Sequence, residues 1–144
     1  MNWSKPGSVV TTRLNESVCE YPKIDDRQVG LPYRFGFVAC GGGPGTGDLF
    51  HRAIGRYELE TKLLTTFHFG GASAISEAIF VPKRPEAGEG HGHLLLTVFD
   101  ERRNASYLAF MDAMHIEAGP IAKAHLDHRV PLGFHGVWRA SAIP

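Results

Sequence analysis

The chain has 144 residues, enough for one ordinary domain and too few for two sizeable ones. Its 15 basic and 15 acidic side chains balance, which excludes a global field for nucleic acid or an anionic membrane, and 43% apolar content is globular, not disordered. No apolar run approaches the roughly 20 residues that span a bilayer. The first residues show no signal-peptide core. Cys19 and Cys40 form no Cys-x-x-Cys pair or disulfide framework. The expectation is two reduced thiols in a cytoplasmic protein.

In chain order, residues 8–14 carry Val9, Val10, Thr11 and Thr12 and predict a first strand. Asn15-Glu16-Ser17 is a turn signal, and Pro22 pushes Tyr21 toward extended geometry. Residues 33–39 predict another strand, followed by a glycine-rich loop over 41–47. That loop lacks the Lys-Ser/Thr pair of a phosphate-binding loop, and Asp48 follows it instead. Residues 50–57 and 63–69 read as a hairpin joined by 58–62. A third strand is expected over 75–81, ended by Pro82, and a polar loop over 83–92. Residues 93–99, with Leu94-Leu95-Leu96, predict a buried strand answered by 106–111. One short helical turn is expected in 112–119 and a last strand over 121–126.

No segment holds a long 3.6-residue apolar period, so the fold class is all-β with antiparallel sheets. Pattern alone allows a small sandwich, a barrel or part of a propeller equally.

The segment 126–138 holds His128, Pro131, Gly133, Phe134, His135, Gly136 and Trp138. Pro131 and Gly133 break regular pairing, and His135 sits between a bulky ring and a residue that admits close backbone approach. Such a histidine suits a metal ligand or a catalytic imidazole, and also a structural role in a core. His91 and His93 lie two apart and can share one face of an extended segment, in a loop where surface decoration is the ordinary outcome. His51, His68, His115, His125 and His128 show no ligand spacing with a partner. Phe134 and Trp138 are expected to pack in the core rather than hold substrate, with lining of the cavity the alternative for Phe134.

In order along the chain, Cys19-Glu20-Tyr21-Pro22, then Gly30-Leu31-Pro32-Tyr33-Arg34-Phe35-Gly36, then Ser76-Glu77-Ala78-Ile79-Phe80-Val81-Pro82, and finally Phe134-His135-Gly136 resemble the C-terminal part of the carotenoid cleavage oxygenases. That family includes the lignostilbene dioxygenases. The resemblance covers almost the whole of residues 1–144. It implies the last blades of a seven-bladed β-propeller, with the N-terminal part of the propeller domain missing. It further implies a ferrous iron, Fe(2+), held by four histidines whose imidazoles are hydrogen-bonded by second-tier glutamates. His135 maps onto the last metal ligand, and Glu20 and Glu77 onto two of the supporting glutamates. Ala78 departs from the commoner residue at its position. Glu77 is expected to support His135, and Glu20 a ligand upstream of Met1.

Neutral imidazoles suit ferrous iron, and a carboxylate on the far ring nitrogen fixes the tautomer. The implied reaction adds dioxygen across a conjugated carbon-carbon double bond of a carotenoid, apocarotenoid or stilbene, giving two carbonyl products. The implied partners are that hydrophobic substrate, dioxygen and the missing propeller part, with no nucleic acid. One histidine cannot build the centre, so the isolated chain is expected to be inactive. The rival expectations are a truncated propeller without catalysis, and a small β-sandwich that gathers His91, His93 and His135.

Overall fold

A computed structural model describes residues 10–42, 50–131 and 133–139. Nine strands lie among them: β1 Cys19–Lys23, β2 Phe35–Cys40, β3 Ala53–Glu58, β4 Leu63–His68, β5 Ser73–Ile75, β6 Ile79–Pro82, β7 Gly92–Asp100, β8 Ala105–Asp112 and β9 Pro120–His125. Two 3-10 turns, Asp26–Gln28 and Ile116–Ala118, complete the elements, and the described residues contain no α-helix.

Every pairing is antiparallel. β1 to β4 form one meander in chain order, and β7, β8 and β9 continue a second sheet that β5 and β6 join on the far edge of β7. Alternation explains the packing. Leu94, Leu96 and Val98 of β7 stand opposite Met111, Ala109 and Tyr107 of β8, and all six are buried on one face. That face shares a single core with Phe35, Phe37, Ala39 and Ile54 of the first sheet. Phe37 and Phe80 stack across the two sheets with ring centroids 5.7 Å apart. The opposite face of the second sheet carries Ile79, Leu95 and Phe110 in register, each half-buried.

Several expectations need correction. Residues 10–14 form no strand: β-branched residues favour extended backbone, but Val10 and Leu14 stay exposed and find no ladder partner. Residues 8 and 9 of that expected strand lie outside the described residues, as do 43–47 of the glycine-rich loop. The first strand is instead Cys19–Lys23, which carries Pro22 at an irregularity between Glu20 and Lys23, with Tyr21 at φ 53°. The strand expected over 75–81 is interrupted at 76–78. The expected helical turn is the 3-10 turn Ile116–Ala118, which sets Ile116 fully into the core.

Candidate functional site

The interruption between β5 and β6 is a bulge. Ile75 pairs with Val98 and Ile79 with Leu95, so four steps along one strand match three along β7. Ser76 holds the irregular point by side-chain chemistry. Its N–H donates to the Thr97 carbonyl at 3.0 Å, and its Oγ accepts the Thr97 N–H at 3.0 Å. The extra residue lets Glu77 and Ala78, consecutive in sequence, both be buried, at 6% and 2% exposure. A buried carboxylate needs donors, because leaving it unpaired costs several kcal/mol, of order 3–5.

Those donors arrive from the C-terminal segment. Fully buried Ser106 on β8 anchors that segment three times: its carbonyl accepts Leu126 N–H at 2.9 Å, its N–H donates to His128 O at 2.9 Å, and its Oγ accepts Val130 N–H at 3.0 Å. The chain then crosses the bulge. His135 Nδ1 lies 3.3 Å from Glu77 Oε1, and the Gly136 N–H donates to Glu77 Oε2 at 2.8 Å. A carboxylate only accepts, so Nδ1 is the donor in this pair, which in the neutral ring leaves the lone pair on Nε2. The His135 side chain is 78% exposed and Glu77's is 6% exposed. Among the described residues no hydrogen bond is made by Nε2, the ring nitrogen away from Glu77, and the side chain it belongs to is largely exposed. A cavity of about 170 Å³ opens at this point, walled by Ile79, Thr97, Phe99, Val130 and Phe134 beside the pair.

Glu77 and His135 are therefore brought together. Glu20 is placed elsewhere: it is exposed on β1, in one row with Ala39, Ile54 and Phe67, and no contact among the described residues links it to the pair. His91, His93 and His135 do not gather, since no group of three His, Cys, Asp or Glu that could hold a metal occurs among the described residues. His93 lies within β7, opposite Val81 and Asp112, and the strand's direction fixes it there.

Phe134 and Trp138 are 74% and 47% exposed in this chain, since no described residue covers that sheet face, and Phe134 walls the cavity beside His135. His51, given no role from spacing, is buried edge-on to Tyr21 at 5.8 Å, and no described group bonds to its Nδ1. Sequence reasoning also missed Ser106 and Ser76 as the groups that fix the geometry. Serine in a strand is an ordinary residue type, and its only sequence signal is a poor strand former within an apolar run.

Comparison with known proteins gives this geometry a context. The family of the retinal pigment epithelial membrane protein matches residues 2–140. The chain belongs to the carotenoid cleavage oxygenase family. It is 32% identical over 142 residues to lignostilbene-alpha,beta-dioxygenase isozyme III of Sphingomonas paucimobilis, covering 92% of this chain and 29% of that protein. Apocarotenoid-15,15'-oxygenase of Synechocystis is 33% identical over 120 residues, covering 83% and 24%. Among solved structures, a cobalt-substituted Synechocystis apocarotenoid oxygenase superposes with a TM-score of 0.81 at 31% identity, over 89% of this chain and 26% of that one. The chain thus spans 24% to 29% of the length of these oxygenases. Among the described residues no helix is long and apolar enough to cross a membrane.

Proposed function

We propose that this chain is the C-terminal part of a carotenoid oxygenase propeller, and that His135 is one ligand of its ferrous iron. The observation that carries the reading is the Glu77–His135–Gly136 arrangement, in which a buried carboxylate holds Nδ1 of a largely exposed imidazole and leaves Nε2 without a partner among the described residues. The donor set fits: a neutral imidazole with a carboxylate on its far nitrogen is a good ligand for a divalent iron. Bound iron would supply dioxygen activation beside the substrate double bond. Glu77 keeps the proton on Nδ1, and the Gly136 amide stops the carboxylate from rotating away. The described residues supply one such imidazole, so the remaining ligands come from outside them. Glu20 is proposed to support one of these.

The two antiparallel meanders, each stacking its strands in near chain order, support a reading as successive propeller blades. The proposed substrate is a hydrophobic conjugated alkene such as a stilbene or an apocarotenoid, cleaved to two carbonyl compounds. The cavity of about 170 Å³ is smaller than the roughly 300–1,000 Å³ of ordinary ligand pockets, so these walls hold only the part of the substrate nearest His135.

Grafting residues 10–139 into the matching region of the Synechocystis apocarotenoid oxygenase tests the reading. The expected result is a folded hybrid that holds stoichiometric iron, loses it on His135→Ala and holds it more weakly on Glu77→Gln. A folded hybrid whose iron survives His135→Ala would overturn the assignment.

A further inference from the structure

Cys19 and Cys40 stand directly opposite each other on β1 and β2, and both are free. Opposed residues of an antiparallel pair have Cα atoms about 4.5–5.5 Å apart, inside the range of about 4.4–6.8 Å that a disulfide spans. Their side chains leave the sheet on the same face. The two thiols are near enough for each to perturb the ionisation of the other. Cys40 is buried but walls an open cavity of about 340 Å³ with Val18, Thr66 and His68, and Cys19 is half-buried, so its own partial exposure is what admits a small oxidant. The iron-site reading uses neither sulfur.

We propose that Cys19 and Cys40 form an oxidisable pair, a modification site at which a hydroperoxide converts two thiols into one cross-strand disulfide. Cys19, the more exposed, gives up its proton, and its sulfur attacks one peroxide oxygen. The O–O bond breaks, the leaving oxygen takes the proton, and Cys19 becomes a sulfenic acid. Cys40 sulfur then attacks Cys19 sulfur. The S–O bond breaks, hydroxide leaves as water with the Cys40 proton, and the S–S bond forms. Two electrons have passed from the thiols to the peroxide.

Burial, with the Cys19 thiol beside it, pushes Cys40 up to about 12, while burial raises Cys19 as well. Both thiols are therefore slow toward weak oxidants, and the order of attack favours Cys19. The bond would tie β1 to β2 one residue before Glu20, where the ladder loses its register and Tyr21 adopts φ 53°. This inference is independent of the oxygenase reading.

Hydrogen peroxide treatment of the purified 144-residue chain tests it, read by intact mass, thiol titration and non-reducing peptide mapping. The expected result is loss of two hydrogens, joint loss of both thiols and a linked Cys19–Cys40 peptide. In glutathione redox buffers the disulfide should be favoured at least about tenfold more in native buffer than in guanidinium, about 30 mV for a two-electron couple. Equal potentials in the two conditions, oxygen added to one cysteine without a link, or links only between chains would overturn the proposal. In Cys40→Ser, Cys19 should stop at a sulfenic acid that dimedone traps. A variant that takes up no oxygen would overturn the route.

Discussion

Glu77 holds the His135 segment at two atoms, one oxygen on the imidazole Nδ1 at 3.3 Å and the other on the Gly136 amide at 2.8 Å. The two contacts fix different things. The first sets the tautomer of the ring and the second sets where the ring can stand. The imidazole contact lies just beyond the usual hydrogen-bond range of about 2.7–3.2 Å and the amide contact well within it, so the amide is the firmer grip.

Glu77→Ala should therefore release the segment more than it alters the core. A hydrogen bond to a charged group is worth about 1.5–3 kcal/mol. The Gly136 amide should exchange with solvent at least about tenfold faster, one decade per about 1.4 kcal/mol. Amide exchange followed by NMR reads this directly. Unchanged exchange at Gly136 would mean that the carboxylate holds nothing in solution.

Ser106→Ala should act on the same site from a distance. It leaves its backbone contacts to Leu126 and His128 intact and removes the acceptor for Val130 N–H. An unmet, partly buried donor costs about 1–3 kcal/mol. Urea unfolding should show that loss, and the Gly136 amide should exchange faster although Ser106 touches neither Glu77 nor His135.

Gly136→Ala should collide with Ile79. An added Cβ would stand 2.6 Å from Ile79 Cδ1, the free end of a side chain that can swing aside. The expected cost is about 1 kcal/mol, the low end for overpacking. Ile79→Val deletes that Cδ1, so the double variant should lose less stability than the two single variants added together. Simple additivity in chemical denaturation would show that the contact is absent.

Asp112 predicts a pH dependence. Its Oδ1 accepts Met114 N–H at 2.8 Å and His115 N–H at 3.2 Å, with His115 Nδ1 also at 3.2 Å. Burial pushes the carboxyl up, but the Met114 amide and the His115 contacts outweigh it and hold the group below the usual aspartate value. The unfolded chain then binds the proton more readily, so this stabilisation is complete above the unfolded value near 4 and fades as pH falls through the lower folded value. Asp112→Asn should flatten the acid limb of the stability curve below about pH 4.

The β7–β8 hairpin was legible because the apolar run at Leu94-Leu95-Leu96 announces a buried strand and the polar residues 100–104 that follow it suit a turn. The split between β5 and β6 was not. Periodicity cannot register a serine whose Oγ replaces a backbone partner, and residues 75–81 look like one continuous run. β1 was hidden for the opposite reason: Pro22 argues against a strand, and the ladder survives by becoming irregular beside it. Phe134 and Trp138 look like core residues by composition, but burial depends on what lies above them. Glu77 and His135 are 58 residues apart. No local spacing rule connects them, and the pair was visible only through the family resemblance.

The extra residue at 76–78 also gives this strand pair a parity. Along β7 the two sides of the sheet alternate without a break, while the opposing edge counts odd on one side of Glu77 and even on the other. Deleting Ala78 would leave hydropathy almost untouched and would put the two halves back in step. Ile79 through Pro82 would then have to exchange faces with their neighbours, or Glu77 would have to turn away from the C-terminal segment. This strand pair should tolerate many substitutions along its edge, but not a change of one in its length.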